Sequence, residues 1–459
     1  MLAYLLFLAT QAALVMRPSE LLPGASGVHF YIPLIGLCLI LAVPQLILLL
    51  QLGSVIRNPV VACGLLLIAA VFLSHLSNGE LKLSVSDTLE VVKAIAYLFL
   101  LIALINTPAR LRTFLLVTLL AASAMIAASI VSFERFKVTW GGAKDLMQVY
   151  RDDRFLPLAE KKMRHVVEFE NIEDDNLRES YFRMRGYGIF ADPNDVSLLI
   201  MVSLVLSLYF LRDRRFGAAR YLWLLNVAML LYAQWCTQSR GGLVSAAIAG
   251  LVFLLMTYGK QVAGAISLLA VLGVPLAAGR LASFSFQGGT GQERIQLWSD
   301  GLVQLTTSKI LFGTGMNTYE DISGLGLKAH NSWIHAFVEL GLFGGIVFFG
   351  MAFFPALAFY RLRKDKIRPT DPILRELYGI VPGILAGTCF ALCALSRCYT
   401  PATYMIFGIA ATYLAMVGAR LHPPRPIVRL SQWTILLCVV CGLLVLLLAF
   451  VFVKALVRF

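Results

Sequence analysis

The sequence predicts an all-α polytopic membrane protein. Of its 459 residues, 59% are hydrophobic and 14% are charged, and the mean hydropathy is +0.79. Soluble domains carry roughly 25% charged residues. Apolar runs of about twenty residues, the length that crosses a bilayer, recur along the whole chain. These observations exclude a soluble multidomain enzyme, a disordered chain and a disulfide-rich secreted protein.

About 12–13 apolar segments are predicted to form transmembrane helices. They lie at residues 2–16, 28–50, 59–76, 88–106, 111–132, 194–211, 219–237, 241–258, 261–279, 331–360, 376–396, 401–419 and 431–453. The first begins at Met1 without a basic segment, which favours an uncleaved helix over a signal peptide. We therefore expect a single integral membrane domain over residues 1–459.

The basic residues predict the orientation. One set of alternate short loops holds 17 Lys and Arg residues, and the opposite set holds four, namely Arg17, Lys82, Arg240 and Arg397. By the positive-inside rule the first set faces the cytoplasm, so the two long loops, at 133–193 and 280–330, face outside. The net charge of +13 follows from this distribution. We expect no nucleic-acid partner, because no basic soluble module is present.

The first long loop is densely charged. Residues 134–185 hold 22 of the 65 charged residues. A solvated helical hairpin is the favoured interpretation, and a lid or acceptor-docking element is the alternative. The eight cysteines lie mostly in apolar runs without a CxxC pair, which indicates apolar filling rather than metal ligation or disulfides.

Two clusters of polar residues border the spans at 194–211 and 241–258. In the segment from Arg185 to Asp195, the sequence predicts Asp192 as a helix N-cap followed by Pro193, which leaves Arg185 and two nearby glycines unexplained. The second cluster is the short turn that contains Arg240. This arginine either snorkels to lipid headgroups or binds a phosphate group with its planar fork of donors.

Two further clusters lie in and after the second long loop. Arg294 and Trp298 are four residues apart, as on one face of an amphipathic surface helix. The glycine-rich segment before them lacks the P-loop pattern, so a nucleotide site is not favoured. His330, beside Asn331 at the mouth of a span, is either a structural histidine or a general base.

The pair His335 and Glu339 raises the separate possibility of a metal site. The two residues are four apart on the predicted span, as metal ligands on one helical face often are. Neither a third ligand nor an HExxH pattern supports this interpretation, so we do not favour it.

The order of these clusters resembles a known family. His330-Asn331, nine residues, Gly341, two residues and Gly344 resemble a pattern of the O-antigen ligase and polymerase superfamily, which includes bacterial protein O-oligosaccharyltransferases. Gly345 stands where the family often has Thr or Ser. Three further segments are similar to motifs of the family, namely Ser239-Arg240-Gly241, the Arg294-x-x-x-Trp298 helix, and Arg185 with Asp192-Pro193-Asn194.

The resemblance implies transfer of a glycan from undecaprenyl diphosphate on the periplasmic side of the bacterial inner membrane. By this resemblance His330 is the catalytic base, and Arg240 and Arg294 hold the diphosphate. Arg185 is a third candidate for that role, and Asn331 is a further substrate-binding candidate. The resemblance also implies an inverting, metal-independent enzyme without a cofactor.

Several functions remain open within and outside this superfamily. We favour a ligase that uses lipid A-core as acceptor over a polymerase of O-antigen or exopolysaccharide. A protein O-oligosaccharyltransferase is less favoured, because no soluble region follows Phe459. A transporter or flippase for lipid-linked glycan is the alternative of another class. It is disfavoured because Glu339 and Lys93 are the only ionisable residues well inside a predicted span and no repeated halves are evident.

Overall fold

The computed structural model of the chain describes residues 1–21, 30–140, 165–170, 179–265 and 290–456. This part is almost entirely helical, which confirms the predicted fold class. The helices are α1 (Leu2–Met16), α2 (Pro18–Leu21), α3 (Tyr31–Leu41), α4 (Val43–Leu50), α5 (Leu52–Arg57), α6 (Pro59–Leu76), α7 (Leu81–Leu104), α8 (Pro108–Trp140), α9 (Pro193–Arg212), α10 (Leu222–Thr237), α11 (Arg240–Thr257), α12 (Thr290–Gln304), α13 (Tyr319–Ile322), α14 (Ser332–Lys364), α15 (Pro372–Glu376), α16 (Ile380–Ala391), α17 (Pro401–Ala419) and α18 (Gln432–Leu456). Strands β1 (Val166–Glu170) and β2 (Glu179–Arg183) and 3-10 turns at Gly188–Phe190 and Arg214–Tyr221 are also present.

Fewer described helices meet the length and composition of a membrane span than the sequence predicts. Eight qualify, namely α6, α8, α9, α10 with its 3-10 lead-in, α11, α14, α17 and α18, and a ninth results if α3 and α4, bent by 69°, form one broken span. Helices α1 and α16 have 15 and 12 residues, and α7 carries four charged residues. Most of the predicted span at 261–279 lies outside the described residues.

The chain divides into two compact units. The first, which we call the His330 unit, comprises Met1–Phe7, Ile35–Thr113 and Ala247–Phe459. The second, which we call the Arg240 unit, comprises Leu8–Leu34 and Phe114–Ala246. Each is described separately below.

Helix α14 is the centre of the His330 unit. It packs against α6, α12, α16, α17 and α18. The apolar face of α12, which includes Ile295 and Leu302, is buried against Ile334 and Phe337 of α14 and Leu446 of α18. Burial of side chains of this size contributes on the order of 1.5–3 kcal/mol each, so this packing fixes α12 beside the start of α14.

Helix α14 is interrupted at Gly341, whose φ and ψ are 65° and −168°. The segment that follows α12 crosses the helix at this break. The backbone hydrogen bonds that join them run from Thr314 N to Val338 O, Gly315 N to Glu339 O, Leu342 N to Ile310 O and Phe343 N to Leu311 O, at 2.9 to 3.1 Å. The backbone groups that the break frees are therefore satisfied by the crossing segment, as an apolar environment requires.

In the Arg240 unit, α9 packs along α10, and the first long loop contributes strand β2. The expected helical hairpin is wrong for the described part of this loop. Helix α8 continues to Trp140, but β1 and β2 then pair antiparallel, from Val166 opposite Arg183 to Glu170 opposite Glu179. The β-branched and aromatic residues of Val166–Glu170 favour a strand, a local preference that the charge density of the loop concealed.

Candidate functional site

His330 lies immediately before α14, at the mouth of that helix. Its side chain is half-buried, and its φ of 48° is in the left-handed region, which is uncommon for a residue other than glycine. Its backbone N–H donates to Ser396 Oγ at 2.8 Å. Asn331 is the N-cap of α14, because its Oδ1 accepts from Trp333 N at 3.0 Å and Ile334 N at 3.2 Å. The cap uses the amide oxygen of Asn331 and does not involve its NH₂ group.

A segment between α16 and α17 supports the His330 loop. Ser332 N donates to Leu392 O at 2.7 Å, and Ser332 Oγ donates to Leu395 O at 2.5 Å. The amide of Arg397 donates to the same hydroxyl oxygen at 2.8 Å. Sequence analysis counted Arg397 only as an outer-loop charge and missed this segment, which is about 65 residues from His330 in sequence.

The predicted Arg294 and Trp298 helix also contacts the His330 loop. Trp298 Nε1 donates to the carbonyl of Ala329, the residue before His330, at 2.6 Å. Arg294 is half-buried and lies one turn earlier on α12. The structure therefore brings the Arg294 helix and the His330 loop together, and the hydrogen bond from Trp298 joins them.

A buried polar cluster lies further along α14, around His335 and Glu339. Glu339 is fully buried, and its Oε1 lies 2.9 Å from His335 Nε2. The backbone N–H of Tyr319 donates to Oε1 at 3.1 Å, and the Tyr399 hydroxyl donates to Oε2 at 2.8 Å. Burial raises the pKa of both tyrosines, so both hydroxyls stay protonated and act as donors near neutral pH.

This cluster bears on the metal hypothesis for His335 and Glu339. The two side chains bind each other, and among the described residues no third His, Cys, Asp or Glu joins them as a metal ligand. Tyr319 N–H donates to the same oxygen as His335, and the Tyr399 hydroxyl donates to the other oxygen. The sequence showed the pair but not these two tyrosines, which lie 20 and 60 residues from Glu339.

In the Arg240 unit, the two other sequence clusters meet at Asn194. Asp192 is the N-cap of α9, as predicted, and its Oδ1 accepts from Asn194 N at 2.8 Å. The side-chain oxygen of Asn194 accepts from Ser239 Oγ at 2.7 Å, directly before Arg240. Arg240 is the first residue of α11 and is half-buried. The structure thus connects the segment before α9 to the arginine turn.

Arg183, which sequence analysis did not single out, supports the same turn. Its Nε donates to Thr237 O at 3.0 Å, and its Nη2 donates to Asn194 Oδ1 at 3.3 Å. These contacts assign Arg183 a role in holding the turn that carries Arg240. An arginine at the end of a charged loop gives no sequence signal that separates it from its neighbours.

Arg185 lies two residues further on and is half-buried. Its backbone N–H donates to Nδ1 of the buried His165 at 3.1 Å. Because Nδ1 accepts this hydrogen bond, the ring proton is on Nε2, which lies 3.2 Å from Ser132 Oγ. His165 is therefore neutral here and packs edge-on against Phe133 and Phe136. Its hydrogen bond anchors the backbone of Arg185.

The fold and these residues define a class of protein. It is a helical membrane protein with a histidine at the mouth of a span, in a hydrogen-bonded loop that contacts the helix of Arg294 in the same unit. The Arg240 unit separately carries Arg240 on a hydrogen-bonded turn.

A known protein family matches part of the chain. Residues 225–349 match the O-antigen ligase family, and this range contains Arg240, Arg294 and His330. The match confirms the resemblance found in the sequence and indicates a glycosyltransferase of the O-antigen ligase type. No curated protein matches the chain.

Proposed function

We propose that this protein transfers a glycan from an undecaprenyl-diphosphate carrier to an acceptor hydroxyl at the periplasmic face of the bacterial inner membrane. Lipid A-core is the favoured acceptor. The observation that carries the proposal is the rigid presentation of His330 beside the helix of Arg294, within a domain that matches the O-antigen ligase family.

The proposed chemistry is a displacement at the anomeric carbon of the donor glycan. The acceptor oxygen forms a bond to this carbon while the bond from the carbon to the diphosphate oxygen breaks. His330 takes the acceptor proton, and the electron pair of the broken bond stays on the diphosphate. A half-buried histidine at a helix mouth suits this role, because its ring is reachable by a bulky acceptor while its backbone is fixed.

In this proposal arginines stabilise the leaving group. Negative charge grows on the diphosphate in the transition state, and fixed cationic donors lower the energy of that state more than that of the bound donor. Arg240 and Arg294 are assigned this role, and Arg185 is a weaker candidate. The hydrogen bonds of Ser239 and Arg183 to Asn194 support the assignment of Arg240, because they hold its turn in place.

The test is a reconstituted transfer reaction. Purified protein in proteoliposomes is mixed with lipid-linked glycan and one of three acceptors: lipid A-core, a second lipid-linked glycan, or a Ser/Thr peptide. Release of undecaprenyl diphosphate with a glycosylated product supports the proposal, and the acceptor that reacts distinguishes ligase, polymerase and protein transferase. Ion-dependent movement of the donor across the membrane without release would instead indicate a transporter.

A further inference from the structure

The carboxylate of Glu339 has no part in the proposed chemistry, yet it is fully buried inside α14. An ionisable group inside a span costs several kcal/mol unless hydrogen bonds or charges compensate it, and such groups usually have a function. Three donors converge on Glu339, from Tyr319, His335 and Tyr399. Two of these donors, Tyr319 and Tyr399, lie in segments that also contact the Arg294 helix and the His330 loop, respectively.

The first connection leads from Glu339 to the Arg294 helix. Tyr319 donates its backbone N–H to Glu339, and its buried hydroxyl donates to the carbonyl of Leu297 on α12 at 2.8 Å. Leu297 lies less than one turn from Arg294 and directly before Trp298. The position of Tyr319 therefore influences the position of Arg294 relative to α14.

The second connection leads to the His330 loop. Tyr399 donates its hydroxyl to Glu339, and the segment that carries Tyr399 also holds the loop. In this segment Ser396 Oγ accepts a hydrogen bond from the backbone N–H of His330, and the backbone N–H of Arg397 donates to Ser332 Oγ. Loss of the Tyr399 hydroxyl would remove the hydrogen bond that ties this segment to Glu339, and only its contacts near the start of α14 would remain.

The donor from His335 completes the coordination of the carboxylate. His335 Nε2 lies 2.9 Å from Glu339 Oε1, so the ring serves as a third hydrogen-bond donor to the carboxylate. Its Nδ1 is buried and lacks a hydrogen-bond partner within the described residues.

We propose that Glu339 is a positioning residue that sets the relative placement of the His330 loop and the Arg294 helix. This inference rests on the proposed function, which assigns His330 to proton transfer and Arg294 to the diphosphate. The two connections predict two different kinetic effects, because one ends at the base and the other at the donor-binding arginine.

Two tyrosine variants separate the connections. Tyr399→Phe should lower kcat by about tenfold or more and leave the KM for the donor within about threefold, because it cuts a hydrogen bond to a carboxylate on the His330 side. Tyr319→Phe should instead raise the donor KM by about two- to tenfold, since it cuts a neutral hydrogen bond on the Arg294 side. The matched control is Tyr413→Phe, whose buried hydroxyl donates to Leu374 O at 2.9 Å in the same unit, and it should change neither constant.

A second measurement does not depend on activity. In Glu339→Gln, which keeps the shape of the side chain, amide hydrogen exchange should accelerate at both residues 315–319 and residues 392–399 while the protein remains monodisperse. Unchanged exchange at either segment, or a Tyr399→Phe enzyme with the kcat of the Tyr413→Phe control, would overturn the inference. A wild-type protein that releases no undecaprenyl diphosphate from any donor would refute the proposed function. The exchange result would still show whether Glu339 holds the two segments in place.

Discussion

The break in α14 gives a quantitative prediction for Gly341→Ala. At φ 65° and ψ −168°, Gly341 has a backbone conformation that is essentially restricted to glycine, so alanine there costs on the order of 1–3 kcal/mol in strain. In addition, an alanine Cβ would clash with the carbonyl carbon and oxygen of Leu311, which belong to the backbone and cannot rotate away. The crossing segment must therefore move, and its four backbone hydrogen bonds to α14 would weaken. At roughly 0.5–1.5 kcal/mol each, these bonds add about 2–6 kcal/mol to the cost.

Gly217 is the matched control for the backbone strain. It has a similar conformation, at φ 56° and ψ −136°, but no atom lies within 4 Å of an added Cβ. Gly217→Ala should therefore lose only about 1–3 kcal/mol of unfolding free energy. Reversible denaturant unfolding in detergent micelles measures both variants. If Gly341→Ala and Gly217→Ala lose the same free energy of unfolding, the close contact between α14 and the crossing segment is wrong.

Two further predictions test the donor site and the orientation. Arg240→Lys should lose most transfer activity, because lysine restores the charge but not the forked hydrogen bonds to diphosphate. The control Arg214→Lys, at an exposed position, should be close to wild type. Equal activities of the two variants would make Arg240 a headgroup anchor. A single cysteine at the exposed position of Lys328 should react with an impermeant thiol reagent from the periplasm, and a single cysteine at Lys364 should not. The reverse labelling pattern would contradict the proposed orientation.

Where local sequence preference is strong, the sequence predicts the structure closely. The span predicted at 59–76 is α6 with the same ends, and the span predicted at 401–419 is α17. Both begin with proline, which suits the first helical position, and both then continue as apolar runs. The N-cap of α9 at Asp192 was likewise predictable from the short motif that forms it.

Contacts between distant segments account for what the sequence did not predict. Gly341 belongs to the family-like pattern, and nothing in that pattern predicts that α14 is broken there and bonded to a crossing segment. The support of His330 by Ser396 spans 66 residues, and the hydrogen bond of Glu339 to Tyr399 spans 60. Neither Ser396 nor Tyr399 belongs to a motif, so a single sequence carries no sign that they meet α14.

The central claim is that His330 accepts the acceptor proton during glycan transfer. Its most direct test is the rate of undecaprenyl diphosphate release by His330→Ala, measured with lipid-linked glycan and the acceptor that wild-type protein uses. The rate should fall by about a hundred- to ten-thousandfold, while donor binding and thermal stability stay at wild-type level, because neither is assigned to the ring of His330. A His330→Ala protein that releases undecaprenyl diphosphate and forms product at the wild-type rate would contradict the mechanism.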